Sequence, residues 1–136
     1  MRFLVVDDDF ETRLLVQKLL RPFGTVDTAA DGEEAVAAFC AALKDNEPYD
    51  LVTMDILMPN SNGQQALREI REIEKERAIP TAKQVRAIII SGLDDSKQVH
   101  DAFFLGEATS YIIKPINHKA LLEEIEKLGI ALRASS

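Results

Sequence analysis

Four short apolar runs in this sequence each deliver a residue able to do chemistry. "RFLVV" runs into Asp7, Asp8 and Asp9, "DLVTMD" ends on Asp55, "RAIIISG" delivers Ser91, and "YIIK" ends on Lys114, followed by Pro115. Acids packed like Asp7–Asp9 repel one another and need a partner. In an open parallel sheet, ligands bind outside the carboxyl ends of the strands. Side by side, these runs would gather the carboxylates of Asp7, Asp8 and Asp55, the Ser91 hydroxyl and the Lys114 ammonium in one crevice. Three carboxylates cannot all stay ionised there without a cation. Oxygen ligands of this kind suit a hard divalent ion, Mg2+ first, which uses few protein carboxylates, keeps several waters and often shares a phosphate oxygen. Asp9 lies past the strand end and reads as the first residue, or cap, of the next helix. The set contains no glycine-rich phosphate cradle and no Ser-His-Asp triad. His100 and His118 sit in polar helical contexts and read as solvated surface.

The elements that must position these groups alternate along the chain. Strands are predicted over 2–6, 25–30, 50–55, 86–92 and 109–114. Helical patterns fall between and after them. The first covers 10–24, with Thr12, Leu15, Val16 and Leu19 on one face and Pro22 and Gly24 as its stop. The second covers 31–45, with Val36, Phe39, Cys40 and Leu43 at helical spacing. Others cover about 64–77, 94–106 and 117–133, the last with Leu121, Leu122, Ile125 and Leu128 along its apolar stripe. "LMPNSNG" (57–63) reads as a loop. Strict alternation implies an α/β fold, a parallel sheet covered on both faces with right-handed crossovers. The chain's 136 residues suffice for one domain with a sizeable core. With no repeat or linker, a single domain is expected over 1–136, its core over 2–132. At 46% hydrophobic and 29% charged the composition is that of a globular protein. A net charge of −7 argues against direct nucleic-acid binding. The lone Cys40 excludes a disulfide framework and reads as a small apolar helix residue. No signal peptide is apparent, and no apolar stretch reaches the roughly 18 residues of a membrane span. A cytoplasmic protein with no membrane association is expected.

The motifs "FLVVDDD", "VTMDILMPNSNG", "IIISG" and "YIIKP", in this order and each at a strand end, resemble the receiver domain of two-component response regulators, in its single-domain, chemotaxis-regulator form. The resemblance spans Arg2 to about Leu132. It implies a flavodoxin-like, doubly wound five-stranded parallel sheet of order 2-1-3-4-5 with five helices. It also implies a phosphorylation-dependent signalling switch rather than a turnover enzyme. Asp55 would accept a phosphoryl group from a histidine kinase or histidine phosphotransfer protein, or from a small phosphodonor. Asp7, Asp8, Asp55 and the backbone carbonyl of Leu57 would hold Mg2+, with Mn2+ as the alternative, Asp8 directly and Asp7 largely through water. Lys114 would pair with Asp55 and then with the phosphoryl oxygens. Ser91 would hydrogen-bond the phosphoryl group, and its inward movement would let Tyr111 turn in. That would change the face of the fourth helix, fifth strand and fifth helix, and so control a downstream protein target. The Lys114–Pro115 bond would be cis. The chain would be a monomer or a phosphorylation-dependent dimer.

Several positions depart from the family pattern. Asn62 replaces the usual Asp before the glycine, Ser91 stands where Thr is common, and Gly92 where Ala is common. The segment from Asp55 to Ser91 is long, implying an extended third helix or a longer loop, and the dense charge of that helix reads as a solvated face. "GEATSY" is one residue longer than the common pattern. Leu57 and Leu93 flank the route of the hydrolytic water, so slow loss of the phosphoryl group is expected. A hydrolase with an aspartyl nucleophile would need an acid at Leu57. A flavin-binding domain of the same architecture would need a phosphate loop that is absent. Phe10, Leu14 and Ile116 are candidate contacts for a histidine-bearing partner, and Phe104 for an output partner.

Overall fold

Five short strands, the three central ones apolar and buried on both faces, form one parallel sheet. They are β1 (Arg2–Val6), β2 (Thr25–Ala29), β3 (Leu51–Asp55), β4 (Arg86–Ser91) and β5 (Ser110–Ile113), in the order β2-β1-β3-β4-β5. This computed structural model describes residues 1–55, 57, 58, 61–92 and 108–132, without the side chains of 57, 58, 61, 62 and 91. The helices are α1 (Phe10–Leu20), α2 (Gly32–Lys44), α3 (Gly63–Glu76) and α4 (His118–Lys127). The helix predicted over 94–106, with Phe104 and His100, lies outside the described residues, as does Leu93.

Strand alternation divides the core into two layers. Phe3, Val5, Leu51, Ile88, Ile90 and Ile112 face Val16 and Leu20 of α1 and Leu121 and Ile125 of α4. Leu4, Val6, Val52, Met54 and Ile89 face Ala35, Phe39 and Ala42 of α2 and Leu67 and Ile70 of α3. The sheet is thus covered on both sides, as expected of a doubly wound fold. The register pairs Val6 with Met54, Asp55 with Ile90 and Ser91 with Ile113, which brings the carboxyl ends of the central strands to one rim.

The elements differ from the sequence reading in instructive places. The first helix stops at Leu20, and Arg21–Phe23 form a 3-10 turn around Pro22, whose ring nitrogen cannot continue the ladder. Gly24 follows where a Cβ would strike the Met1 carbonyl, and that carbonyl accepts from Thr25 N at 3.0 Å. In α2 the buried stripe is Ala35–Phe39–Ala42, with Val36, Cys40 and Leu43 half-buried beside it. Ala35 and Ala42 join the expected Phe39 against the sheet in place of Val36, Cys40 and Leu43, so the inward face is displaced from the expected one. The loop read at 57–63 contains a two-residue antiparallel pairing of Leu57–Met58 with Ser61–Asn62.

The long segment before β4 combines both anticipated solutions. Helix α3 runs to Glu76, and a loop with a 3-10 turn at Thr81–Lys83 follows. The reading of α3's charges as a solvated face fails at Glu74, which is 1% exposed. Its Oε2 accepts from Val85 N at 2.7 Å and its Oε1 pairs with Arg71 Nη1 at 2.6 Å. A buried carboxylate with both oxygens engaged is the form in which such a charge is tolerated inside a fold. Among the described residues no helix is long and apolar enough to cross a membrane.

Candidate functional site

The chain leaves β1 through a tight acidic turn. Asp7 N donates to Ala29 O of β2 at 3.2 Å, which keeps the residue in line with the sheet. Its side chain is 2% exposed, and Oδ1 accepts from Asp9 N at 2.9 Å. Asp9 caps α1: its Oδ2 accepts from Thr12 N at 3.4 Å and from Thr12 Oγ1 at 2.5 Å. The three consecutive acids therefore separate in role. Asp9 is taken by the helix, Asp7 is buried, and Asp8 is left exposed between them.

Asp55 is the last residue of β3 and is 4% exposed. Lys114 follows β5 immediately. Its Nζ lies 3.5 Å from Asp55 Oδ2 and 3.7 Å from Asp7 Oδ2, so one half-buried ammonium bridges two buried carboxylates. Asp7, Asp8 and Asp55 each offer an oxygen, and these all lie within 4.8 Å of one another.

The electrostatics follow from that crowding. Burial pushes the Asp7 carboxyl above the usual range, and repulsion from Asp8 and Asp9 adds to it against the opposing Asp9 amide and Lys114. Burial works against the Lys114 ammonium, but the attraction of Asp7 and Asp55 prevails and raises its pKa. Three carboxylates and one ammonium leave a formal deficit of two positive charges. The donors are all oxygen, and their spacing suits a small dication that holds one of them through water. The residues present therefore fit Mg2+.

The other expected site residues are distributed around this centre. Ser91 ends β4 in register with Ile113, one residue before Lys114. Leu57 lies two residues beyond Asp55, in the small hairpin. The Lys114–Pro115 peptide bond is cis. Tyr111 on β5 is 47% exposed. Phe10 is 64% exposed, with the Arg13 guanidinium 5.6 Å over its ring. Leu14 is half-buried, and Ile116 packs against the α1–α4 layer of the core.

Two residues escaped the sequence reading. Arg13 Nη1 donates to the Asp7 carbonyl at 2.7 Å and so holds the acidic turn from the first turn of α1. Its one sequence signal is a basic residue placed four after the cap. Thr53, two residues before Asp55, is 1% exposed, and among the described residues its Oγ1 has no hydrogen-bond partner. No sequence signal distinguishes that threonine from an ordinary strand residue.

Known proteins share this chain's sequence and arrangement. The family model described as "Response regulator receiver domain" matches residues 3–126. The chemotaxis protein CheY of Treponema pallidum is 37% identical over 91% of this chain and 79% of its own length. CheY of Bacillus subtilis is 36% identical over 93% and 95%. Among solved structures, a CheX–CheY complex with BeF3 and Mg2+ from Borrelia burgdorferi is similar at a TM-score of 0.79 and 31% identity, covering 96% of this chain and 90% of the other. The receiver domain of NtrX from Brucella abortus gives 0.74 and 30%, over 92% and 95%. Receiver domains are two-component signalling switches rather than turnover enzymes, and they bind Mg2+ at an aspartate cluster. With its sheet order, its acidic rim and a match over most of its length, this chain belongs to the response regulator receiver domain family.

Proposed function

We propose that this chain is a single receiver domain over 1–136 in which Asp55 accepts a phosphoryl group and the change in surface that follows controls a partner protein. The observation that carries this reading is the Lys114 ammonium held 3.5 Å from Asp55 and 3.7 Å from Asp7, with Asp8 completing the cluster. The donor is a phosphohistidine on a histidine kinase or phosphotransfer protein, or a small acyl phosphate. An Asp55 carboxylate oxygen attacks phosphorus in line. A P–O bond forms as the bond to the donor breaks, and the electron pair leaves with the donor atom. Such transfer needs little covalent chemistry beyond positioning and neutralisation of charge on three oxygens. Bound at Asp7, Asp8, Asp55 and the Leu57 carbonyl, Mg2+ or Mn2+ supplies part of that neutralisation.

Lys114 keeps the nucleophile oriented and then pairs with a phosphoryl oxygen. Ser91 donates a hydrogen bond to another. Tyr111, exposed on β5, turns inward as Ser91 moves, which re-shapes the face it shares with α4 and the segment before β5. This is a shift between two states biased by new contacts. Phe10, Leu14 and Ile116 receive the histidine-bearing partner, and Phe104 contacts the output partner. The switch works in the cytoplasm through protein contacts, as a monomer or a phosphorylation-dependent dimer, without binding nucleic acid.

Intact mass after incubation with Mg2+ and acetyl phosphate tests the reading. One phosphoryl group is gained by the parent and none by Asp55→Asn. A gain that survives Asp55→Asn, or none with acetyl phosphate and a phosphorylated kinase alike, refutes it. The apolar Leu57, two residues after Asp55 in the chain, supports slow decay of the product, and Leu57→Asn speeds the loss of the added mass; an unchanged rate refutes that part.

A further inference from the structure

The acidic crevice lies at the carboxyl ends of the strands; the rim at their amino ends is built differently. Two hollows open there. One, of about 270 Å3, is floored by Phe39, Leu43, Ile79 and Val85. The other, of about 400 Å3, continues toward Leu128 and Ile130. Pro48, Tyr49 and Lys83 line both, which makes them one trough.

Three cations border it: Arg77 on the first hollow, Lys83 on both and Arg86 on the second. Among the described residues none of the three has a carboxylate partner, whereas Arg2, Arg71, Lys114, Lys119 and Lys127 all do. Among the described residues Arg86 meets carbonyls, donating from Nε to Leu128 O at 3.4 Å and from Nη1 to Gln84 O at 3.2 Å. Two acids also line the trough, Glu74 in the first hollow and Asp50 in the second, and the partners of the acids here are groups other than these three cations. Glu47 Oε2 lies 3.7 Å from Arg2 Nη1, Asp50 accepts from Arg2 N at 2.8 Å, and Glu74 is engaged by Arg71 and Val85. Uncompensated cations gathered on one rim of a chain of net charge −7 make a local field that attracts carboxylates.

We propose that this trough docks an acidic–apolar peptide segment of a partner protein. A bulky apolar side chain enters the 270 Å3 hollow, and flanking carboxylates meet Arg77, Lys83 and Arg86. Charge at the rim and an apolar anchor at the centre is the ordinary division of labour in such recognition. A nucleic acid fits less well, because the floor is apolar and the whole molecule repels a polyanion. The trough is at the opposite end of the strands from Asp55, so docking leaves the acidic crevice open.

Amide NMR titration of the full chain with the peptide Ac-Glu-Glu-Leu-Phe-Glu-Glu-NH2 tests this. Shifts are expected at Leu43, Ile79, Lys83 and Val85. The Arg77→Glu/Lys83→Glu double variant, both side chains being exposed, keeps the fold and binds about tenfold more weakly or worse, and added salt weakens binding in the parent. The proposal is overturned by any of four results. These are no shifts at about 1 mM peptide, equal binding of the Lys-Lys-Leu-Phe-Lys-Lys counterpart, parent-like binding by the double variant, or tighter binding of single-stranded oligothymidylate at the same residues.

Discussion

Lys114 is the residue on which the site turns, because a single ammonium sits between two buried carboxylates. On the proposed function, replacing it with Gln removes a charge that competes with a dication and also a donor for the phosphoryl oxygens. Lys114→Gln therefore binds Mg2+ more tightly by calorimetry, while phosphoryl uptake falls by about 10²–10³, the usual cost of losing one such donor. Asp7 gives the opposite test. Its pKa is raised, first by burial, so its charged form is disfavoured in the folded state. The penalty is present above the folded pKa and vanishes below the unfolded one. Asp7→Asn is therefore more stable than the parent in Mg2+-free urea titrations at neutral pH, and added Mg2+ stabilises it less. Asp7, Asp55 and Lys114 were legible because the length of an apolar run fixes where a strand ends. Arg13 and Thr53 were not, since their significance depends on which backbone carbonyl or apolar wall lies opposite, and spacing along the chain does not encode that.

At the scale of elements, the alternation of strands and helices was readable and the inward face of α2 was not. Hydrophobic periodicity weights bulky residues, whereas close approach of a helix to a sheet selects small ones such as Ala35 and Ala42. Glu74 was misread for a related reason: a charged residue on a charged helix looks solvated until its partners are known. It ties the end of α3 to the first turn into β4 through Val85 N. Glu74→Ala strands that amide, takes one partner from Arg71 and costs about 2 kcal/mol in urea unfolding. Glu74→Gln keeps an acceptor and costs less. Equal losses in the two variants would show that the negative charge paired with Arg71, not the acceptor for Val85 N, is what matters there.

For the molecule as a whole, the two ends of the sheet are built in opposite ways. At the amino end Asp27 Oδ2 accepts from Arg2 Nε at 3.2 Å, Arg2 Nη2 at 2.9 Å and Tyr49 Oη at 2.6 Å, joining β1, β2 and the approach to β3. Burial pushes Asp27 upward, but the Tyr49 and Arg2 bonds outweigh it and hold the carboxyl below its usual range. Its contribution to stability is complete above the unfolded pKa of about 3.9 and is lost as pH falls through the lower folded value. Asp27→Asn flattens the acid limb of the stability profile, measured by thermal melts between neutral and acid pH. The carboxyl end instead concentrates like charge, a cost tolerated where function needs it. One further consequence follows from β3. It is flanked on both sides, and all five of its residues are buried. Its amides should exchange hydrogen only when the whole domain opens. On the proposed function, the group that Asp55 takes up is thus mounted on a strand buried along its whole length, and its readout has to come from elements nearer the edge of the sheet.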